Sequence, residues 1–392
     1  MRRAVTAPPQ LAAVAALAAA CLTISAAPAL AASSQPARTA AAHAQTAALV
    51  TASHPADGRI AFTDFKTNQI YTVNPDGSAL AQLTREPKGI AARWADWSPS
   101  GSRILFDRFN LSNNVGRIWI MNADGTGQRQ LVSDRPGNSD NEPSYSPDGR
   151  QIVFTRCLAN FEHCAIWIMR SDGTHRRLVI PFIPAPNETS NFGPDVSPDG
   201  RHITFARFGF KGVISQVWVA NIDGTHARPL TAPGLEAFGP SWSPDGSHIA
   251  FASNSNRVQS GIYVMRSDGT GVTRLALPKW PNNNFLPAYA PDGSQIAFSS
   301  DRRYPDLCCA DLFVMRANGS QQHLVATGLQ GVIDVAWGTA ALVRAGSPGT
   351  LSRPLSSTPA PRAARDARCG EAAAWLTSRQ CGLSSAGIGP HR

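Results

Sequence analysis

The sequence predicts an all-β fold, a six-bladed β-propeller of four-stranded antiparallel blades. Three observations predict it. A Ser-Pro-Asp-Gly tetrapeptide recurs as Ser98-Pro99-Ser100-Gly101, Ser146-Pro147-Asp148-Gly149, Ser197-Pro198-Asp199-Gly200, Ser243-Pro244-Asp245-Gly246 and Ala290-Pro291-Asp292-Gly293, its prolines about 46–51 residues apart. Self-similarity at that period marks a propeller, solenoid or array. The apolar runs between these turns are four to six residues long, β-branched and aromatic, and bounded by turn formers, so they read as strands.

Each unit has the same internal order. An aromatic or apolar residue precedes the tetrapeptide: Trp97, Tyr145, Val196, Trp242 and Tyr289. It ends strand A. The tetrapeptide suits a type I turn, with proline presetting φ at the second position and glycine at the fourth. Strand B follows as Ile104-Leu105-Phe106, Ile152-Val153-Phe154, Ile203-Thr204-Phe205, Ile249-Ala250-Phe251 and Ile296-Ala297-Phe298. Strand C is a second run, such as Ile118-Trp119-Ile120-Met121. An Asp-Gly or Asn-Gly pair at Asp124, Asp172, Asp223, Asp268 and Asn318 then predicts a tight C–D hairpin with positive φ at both central residues. A short segment ending in leucine, as at Leu131, completes the unit as strand D.

Complete units begin near Arg93, Asn141, Phe192, Phe238 and Phe285. Before them stands a unit without strand A, formed by Ile60-Ala61-Phe62, Gln69 to Val73 and the turn at Asp76-Gly77. After them stands a lone strand A at 333–338. The lone strand is expected to become the inner strand of the first blade, closing the ring and removing an exposed edge.

The pattern Trp-Ser-Pro-Asp-Gly, Ile-Ala-Phe, Ile-Tyr-Val-Met, Asp-Gly-Thr resembles the WD40-like propeller repeat of the TolB type, over residues 57–338. The resemblance implies an extracytoplasmic interaction protein, an accessory propeller of a prolyl oligopeptidase-type peptidase, or a secreted protein of another role. The amino-terminal domain of the Tol–Pal translocation protein finds no counterpart here. The length after residue 338 is too short for an α/β-hydrolase domain, so a prolyl oligopeptidase-type peptidase is not the expectation.

The domain organisation reads as a signal peptide at 1–31, a disordered linker at 32–56, the propeller at 57–338 and a disordered Ala/Arg/Ser/Pro-rich tail at 339–392. Arg2 and Arg3 open the first segment, a run of small apolar residues follows from Leu11 to Leu30, and Ala29-Leu30-Ala31 fits cleavage. The mature chain is then expected to carry no transmembrane segment. Of seven cysteines Cys21 leaves with the signal, and the even remainder suits an oxidising compartment. Cys157 and Cys164 flank one B–C connection and are disulfide candidates; Cys308, Cys309, Cys369 and Cys381 have no evident pairing.

The net charge of +9 belongs to the ends. Arg2, Arg3 and Arg38 precede the propeller, and residues 340–392 hold seven arginines against Asp366 and Glu371. A near-neutral propeller argues against nucleic acid as the partner.

In a propeller the A–B and C–D turns share one face, and the B–C and D–A loops share the other. The second set is longer and irregular here, from Asp107 to Arg117 or Val179 to Asn191, so the binding face is expected there. Arg108, Arg156 and Arg207 recur two residues after the strand B phenylalanine in three successive blades. They could form an arc of guanidinium groups for carboxylates or phosphates, or pair with loop acids such as Asp140, Glu142 and Glu188. Phe192, Phe238 and Phe285 recur four residues before the strand A signature, either as inter-blade packing at the tunnel mouth or as binding surface. Trp280 sits in an Asn-rich loop that could dock a partner or a sugar. The turn aspartates Asp148, Asp199, Asp245 and Asp292 are read as bonding their own turn backbone.

Function therefore reads as a secreted, non-catalytic, monomeric binding scaffold for a protein or cell-envelope ligand through the B–C/D–A face. The alternative is a propeller-class lyase, lactonase or glycosidase at the tunnel mouth. Its acids would come from Asp140, Glu142, Asp195, Glu236 and Asp334, on different blades. No sequence pattern for a metal or cofactor is present, and none is expected.

Overall fold

The computed structural model describes residues 58–342, apart from 133–136, 159–162, 185–187, 210–214, 255–258, 277–281, 305–308 and 326. Trp280, Cys308, Cys369, Cys381, the signal, the linker and all but the first residues of the tail lie outside the described residues.

Strands β1 (Ile60–Asp64), β2 (Gln69–Val73) and β3 (Ala81–Gln82) come first. Blade 2 is β4 (Ile90–Trp97), β5 (Arg103–Asn110), β6 (Val115–Asn122) and β7 (Arg129–Gln130). Blade 3 is β8 (Asn138–Tyr145), β9 (Gln151–Leu158), β10 (Ala165–Arg170) and β11 (Arg177–Ile180). Blade 4 is β12 (Thr189–Val196), β13 (His202–Gly209), β14 (Gln216–Asn221) and β15 (Arg228–Pro229). Blade 5 is β16 (Ala237–Trp242), β17 (His248–Ser253), β18 (Gly261–Arg266) and β19 (Thr273–Ala276). Blade 6 is β20 (Asn284–Tyr289), β21 (Gln295–Ser300), β22 (Asp311–Arg316) and β23 (His323–Leu324). Last, β24 (Val332–Trp337) pairs antiparallel with β1 and completes blade 1, the closure expected from the sequence.

The closure is fastened at its end. The Gly338 amide donates to Arg59 O at 3.0 Å, and the Trp337 indole donates to Gly58 O at 2.8 Å. A Cβ on Gly338 would stand 2.1 Å from Trp97 Cγ, so glycine is what lets the closing segment pass the neighbouring blade.

Apolar alternation explains the blades. The strand B phenylalanines Phe62, Phe106, Phe154, Phe205, Phe251 and Phe298 are fully buried. Most face an aromatic ring on strand C, as Phe251 does Tyr263 at 5.7 Å and Phe298 does Phe313 at 5.9 Å. Among the described residues the core divides into six clusters, five joining two adjacent blades and one joining blades 5 and 6 with Ala206 of blade 4. Leu105, Ile118 and Ile120 of blade 2, for example, pack on Tyr145, Ile152 and Phe154 of blade 3. Truncating such a phenylalanine to alanine typically costs about 3–5 kcal/mol.

The turns show where side chains replace backbone partners. In Ser146-Pro147-Asp148-Gly149 the Ser146 hydroxyl and the Arg150 amide both donate to Asp148 Oδ1, at 2.6 and 3.0 Å. These bonds, the Ser146 contact foremost, hold the Asp148 carboxyl below its usual range. The C–D hairpins differ from expectation. Gly125 has a φ of 86° but Asp124 does not enter the positive-φ region, and the Gly125 amide donates to Asn122 O. The loop is a type I turn followed by a glycine bulge, with Asp124 Oδ1 accepting from the Thr126 amide instead. The segment from Asp107 to Arg117 also differs: the β5–β6 ladder runs on to Asn110 opposite Val115, leaving only four residues as loop. Gly116 permits this, since a Cβ there would meet Asn141 Oδ1 at 2.3 Å.

Candidate functional site

The inner strands β24, β4, β8, β12, β16 and β20 surround the axis, and each carries a bulge at the same place. The residue entering the bulge has positive φ in every blade: Asp334 (54°), Trp94 (54°), Glu142 (53°), Gly193 (56°), Gly239 (58°) and Leu286 (48°). Four of these are not glycine, and the left-handed conformation costs an L-residue roughly 1–2 kcal/mol. Packing around the axis holds these side chains in a conformation they would not adopt alone. Pro143, Pro194, Pro240 and Pro287 follow in four blades, where a bulge leaves no ladder amide to lose.

The residues at the bulge and two positions further on line an axial cavity of about 510 Å³. That is the volume range of small-molecule sites. The cavity reaches solvent on the Ser-Pro-Asp-Gly face, where the exposed Pro99, Pro147 and Pro244 edge it. Its walls differ. Blades 1 to 4 contribute the carboxyls of Asp334, Asp96, Glu142 and Asp195, one from each blade. Blades 4 to 6 contribute Phe192, Phe238 and Phe285, with Phe208 and Leu286. No Lys, Arg or His is among the described residues lining it.

Asp96 and Asp195 are half-exposed to this cavity and share a neighbour. The Tyr145 amide donates to Asp96 Oδ2 at 2.7 Å, and the Trp242 amide donates to Asp195 Oδ2 at 2.8 Å. Ser144, on the strand between them, has its hydroxyl within reach of both carboxyls. Enclosure by the blades pushes Asp195 up to about 6 and Asp96 up to about 7, the latter helped by the charge of Asp195. Nearby, Asp334 is 4% exposed, with the Trp94 backbone amide as the donor beside its carboxyl. Burial pushes it up to about 8 against the pull of Arg93, while Asp107 and Glu142 add like charge. Arg93 is itself paired to Asp107 at 2.9 Å. Glu142 Oε2 accepts from the Thr155 hydroxyl and from the Gly193 amide of the next blade, both at 2.8 Å. Among the described residues no three His, Cys, Asp or Glu side chains are grouped to hold a metal ion.

The arginines named from the sequence are set between paired partners, not along an open arc. Arg156 is 6% exposed and forks onto Asp140 at 2.6 and 2.8 Å. Arg108 pairs with Glu86 at 2.7 Å, an acid the sequence did not point to. Arg207 donates to Asn191 Oδ1 at 2.8 Å, and burial brings its guanidinium down to about 10. Each lies over the strand C ring of its blade: Arg108 on Trp119 at 5.1 Å, Arg156 on Trp167 at 4.6 Å and Arg207 on Trp218 at 4.1 Å. Arg302 takes the same place over Phe313 at 4.3 Å, reached from a position two residues further along. Glu188 pairs with His163, and Glu236 is not among the residues lining the cavity. Cys157 and Cys164 form a disulfide across the mouth of the β9–β10 loop.

Phe192, Phe238 and Phe285 combine both roles weighed for them. Phe238 and Phe285 belong to the core between blades 5 and 6, and Phe192 meets Phe208 edge-on at 5.5 Å, yet all three line the cavity. Sequence reasoning missed Asp96, Ser144 and Trp94. A signal was present: the residue before each strand A signature reads Asp96, Ser144, Asp195, Ser241, Ala288 and Ala336 around the ring, with the polar members consecutive.

The TolB beta propeller domain family matches residues 162–337. Among solved structures, TolB of Acinetobacter baumannii superposes with a TM-score of 0.56 at 18% identity, over 71% of this chain and 66% of that one. This chain is a six-bladed β-propeller similar in fold to TolB. An Agrobacterium tumefaciens protein assigned as TolB follows at 0.54 and 21% identity, over 70% of this chain and 90% of that one. A chain of the nidogen/laminin complex matches at 0.54 and 12% identity, over 71% and 97%. The TolB-like propeller thus spans just under two thirds of the length of the Acinetobacter protein, and at these identities the likeness is one of fold. No curated protein matches the chain. No helix among the described residues is long and apolar enough to cross a membrane.

Proposed function

We propose that this TolB-like propeller is an extracytoplasmic binding module that takes a protein segment or cell-envelope component at its axial cavity. The cavity of about 510 Å³ carries the reading, because ligand sites are concave, largely apolar and furnished with a few placed polar groups. The strained bulge residues support it, since strain gathers where a surface is shaped for use. The amino-terminal signal pattern and the Cys157–Cys164 disulfide support the compartment. The B–C/D–A loop face stands at the other end of the same axis as a further contact surface of the module.

The test is crosslinking of the mature protein on intact cells, comparing wild type with Ser241→Trp, which fills the cavity from blade 5. Wild type is expected to capture a defined component and the folded variant to lose it. Equal capture by both would place the ligand elsewhere and overturn the axial reading.

One observation favours an enzyme as second reading. Asp96 and Asp195 have carboxyls raised to about 7 and about 6 in a cavity with a hydroxyl between them, the arrangement in which one acid donates and another accepts a proton. A screen of glycosides and lactones would show turnover abolished in Asp96→Asn if this reading holds, and no turnover in wild type if it does not.

A further inference from the structure

The binding reading above names a site, and the path of the chain supplies a partner for it. We infer that residues 371–378 of the carboxy-terminal tail occupy the axial cavity, with Trp375 set against Phe192, Phe238 and Phe285. The inference rests on the axial reading in taking that cavity as a binding site, and it names the competitor that an outside ligand must displace.

The chain leaves the propeller at the rim of this cavity. Gly338 and Thr339, which follow the closing strand β24, line it. The Thr339 hydroxyl donates to Pro99 O at 2.9 Å, and Ala340 O accepts from the Arg59 amide at 3.2 Å. A Cβ on Gly101 would stand 2.5 Å from the Ala340 nitrogen, so the exit is pressed onto the Ser98–Gly101 turn. Ser98 and Pro99 of that turn line the cavity as well. Leu342, two residues on, is 45% exposed. Residues 343–392 therefore start where the cavity opens, and not on the loop face at the far end of the axis.

The composition of the tail fits the walls. Residues 343–392 contain a single Phe, Tyr or Trp, which is Trp375, within Ala372-Ala373-Ala374-Trp375-Leu376. The wall of blades 4 to 6 offers Phe192, Phe208, Phe238, Phe285 and Leu286. Phe238 and Phe285 are fixed by the core between blades 5 and 6, so an arriving ring meets faces and edges already in place. Tryptophan is enriched among the side chains that anchor interfaces in this way. A cavity of about 510 Å³ accommodates an indole with its leucine neighbour, and the three alanines are small enough to follow through the mouth. The tail is also basic, seven arginines against Asp366 and Glu371, while the described lining residues include carboxyls and no Lys, Arg or His. Like charge therefore does not oppose its approach.

Tethering makes a modest contact count. Trp375 lies about 33 residues beyond Leu342, and at roughly 3.3 Å per residue that length reaches every part of the cavity. A tether of this order holds its end at an effective concentration on the order of millimolar. A contact with a dissociation constant in the same range is then about half filled, and an outside ligand binds more weakly in proportion to the fraction filled.

The test places the photocrosslinker p-benzoylphenylalanine at Trp375 in the full chain and, for comparison, at Leu355 or Ile388. Crosslinked peptides are mapped by mass spectrometry, and isotopically mixed chains separate links within a chain from links between chains. The probe at Trp375 is expected to join the peptides carrying Phe238 and Phe285 within one chain, at a yield about ten-fold above either comparison position, the ratio that tethering alone would leave near one. Ser241→Trp, with circular dichroism confirming the fold, should abolish these links. An excess of free peptide 369–381 should compete them away without any change to the cavity. Links to the outer strands, links only between chains, no links, equal cavity yields from all three positions, or a yield that withstands the peptide would each overturn the inference. Component capture that is lost in Ser241→Trp while the Trp375 links fall elsewhere would leave the axial module standing without its tail. Cavity links in a chain that captures nothing from cells would leave the tail contact standing and overturn the outside ligand.

Discussion

The backbone amide of Trp242 in blade 5 donates to Oδ2 of Asp195 in blade 4 at 2.8 Å, and the Tyr145 amide of blade 3 makes the same bond to Asp96 of blade 2 at 2.7 Å. One carboxyl thus ties two blades together while facing the axial cavity. The tie and the cavity separate on substitution. Asp195→Ala leaves the Trp242 amide without its acceptor and is expected to cost about 1–3 kcal/mol in urea unfolding. Asp195→Asn keeps an acceptor oxygen and removes a carboxyl raised to about 6, so at pH 7.5 its stability is expected to stay near wild type. Equal losses in both variants would show that the charge, not the hydrogen bond, is what matters.

Asp334 gives a pH dependence of defined sign. Its folded-state value, about 8, lies above the unfolded value, so the folded state holds a proton that the unfolded state has released. Stability is therefore lost as pH rises from about 4 to about 8. Asp334→Asn removes the loss. Its Tm is expected to exceed wild type at pH 8.5 by about 4 °C, for a difference on the order of 2 kcal/mol, and to match wild type near pH 4. The measurement is a pair of calorimetric scans; a gain of the same size at both pH values would contradict the assignment.

Arg156 and Arg108 occupy the same repeat position in different surroundings. Arg156 is buried and bonded twice to Asp140, whereas the Arg108 side chain is 34% exposed beside Glu86. Removing one partner of a buried pair strands the other, so Arg156→Ala is expected to cost about 3–5 kcal/mol. Arg108→Ala should cost about 1 kcal/mol. Denaturant midpoints at constant slope would rank them.

The closing glycine is expected to be intolerant. Gly338→Ala places a methyl group inside the Trp97 ring, and the backbone beside it is held by the Arg59 bond. The chain must move at the one seam of the ring, so the loss should reach a few kcal/mol, in the range for overpacked sites. Protection of the β1 amides in hydrogen exchange is expected to fall before that of blades 3 and 4.

The disulfide closes a short loop. Cys157 and Cys164 are 7 residues apart, and the chain-entropy argument gives roughly 2.5 kcal/mol for a loop of that size. Cys157→Ser with Cys164→Ser is expected to lower stability by about that amount without altering the fold, as thermal unfolding with and without reductant would show.

The fold was legible because a propeller repeats its instructions. Pro99, Pro147, Pro198, Pro244 and Pro291 set the period, Phe62 to Phe298 mark one strand in each blade, and the spare strand ending at Trp337 announced the ring closure. These are local signals, each carried by turn chemistry or by the alternation of a single strand. The disulfide candidates were local in the same sense, seven residues apart on one connection.

The site was not legible, because its residues lie about one repeat apart and meet only when the ring closes. Asp334 comes near Glu142 and Arg93 because β24, from the far end of the propeller sequence, becomes the inner strand of blade 1. Asp96 and Asp195 share Ser144 because three inner strands bulge at one level. Similarly, the sequence placed Arg108, Arg156 and Arg207 at one repeat position, while their acids and rings were assigned by packing between strands. Sequence alone determined the strands, turns and blade order, which depend on neighbours in the chain; the tertiary structure decided which charges face each other across the axis, since closing a ring brings distant residues together and burial then sets their protonation.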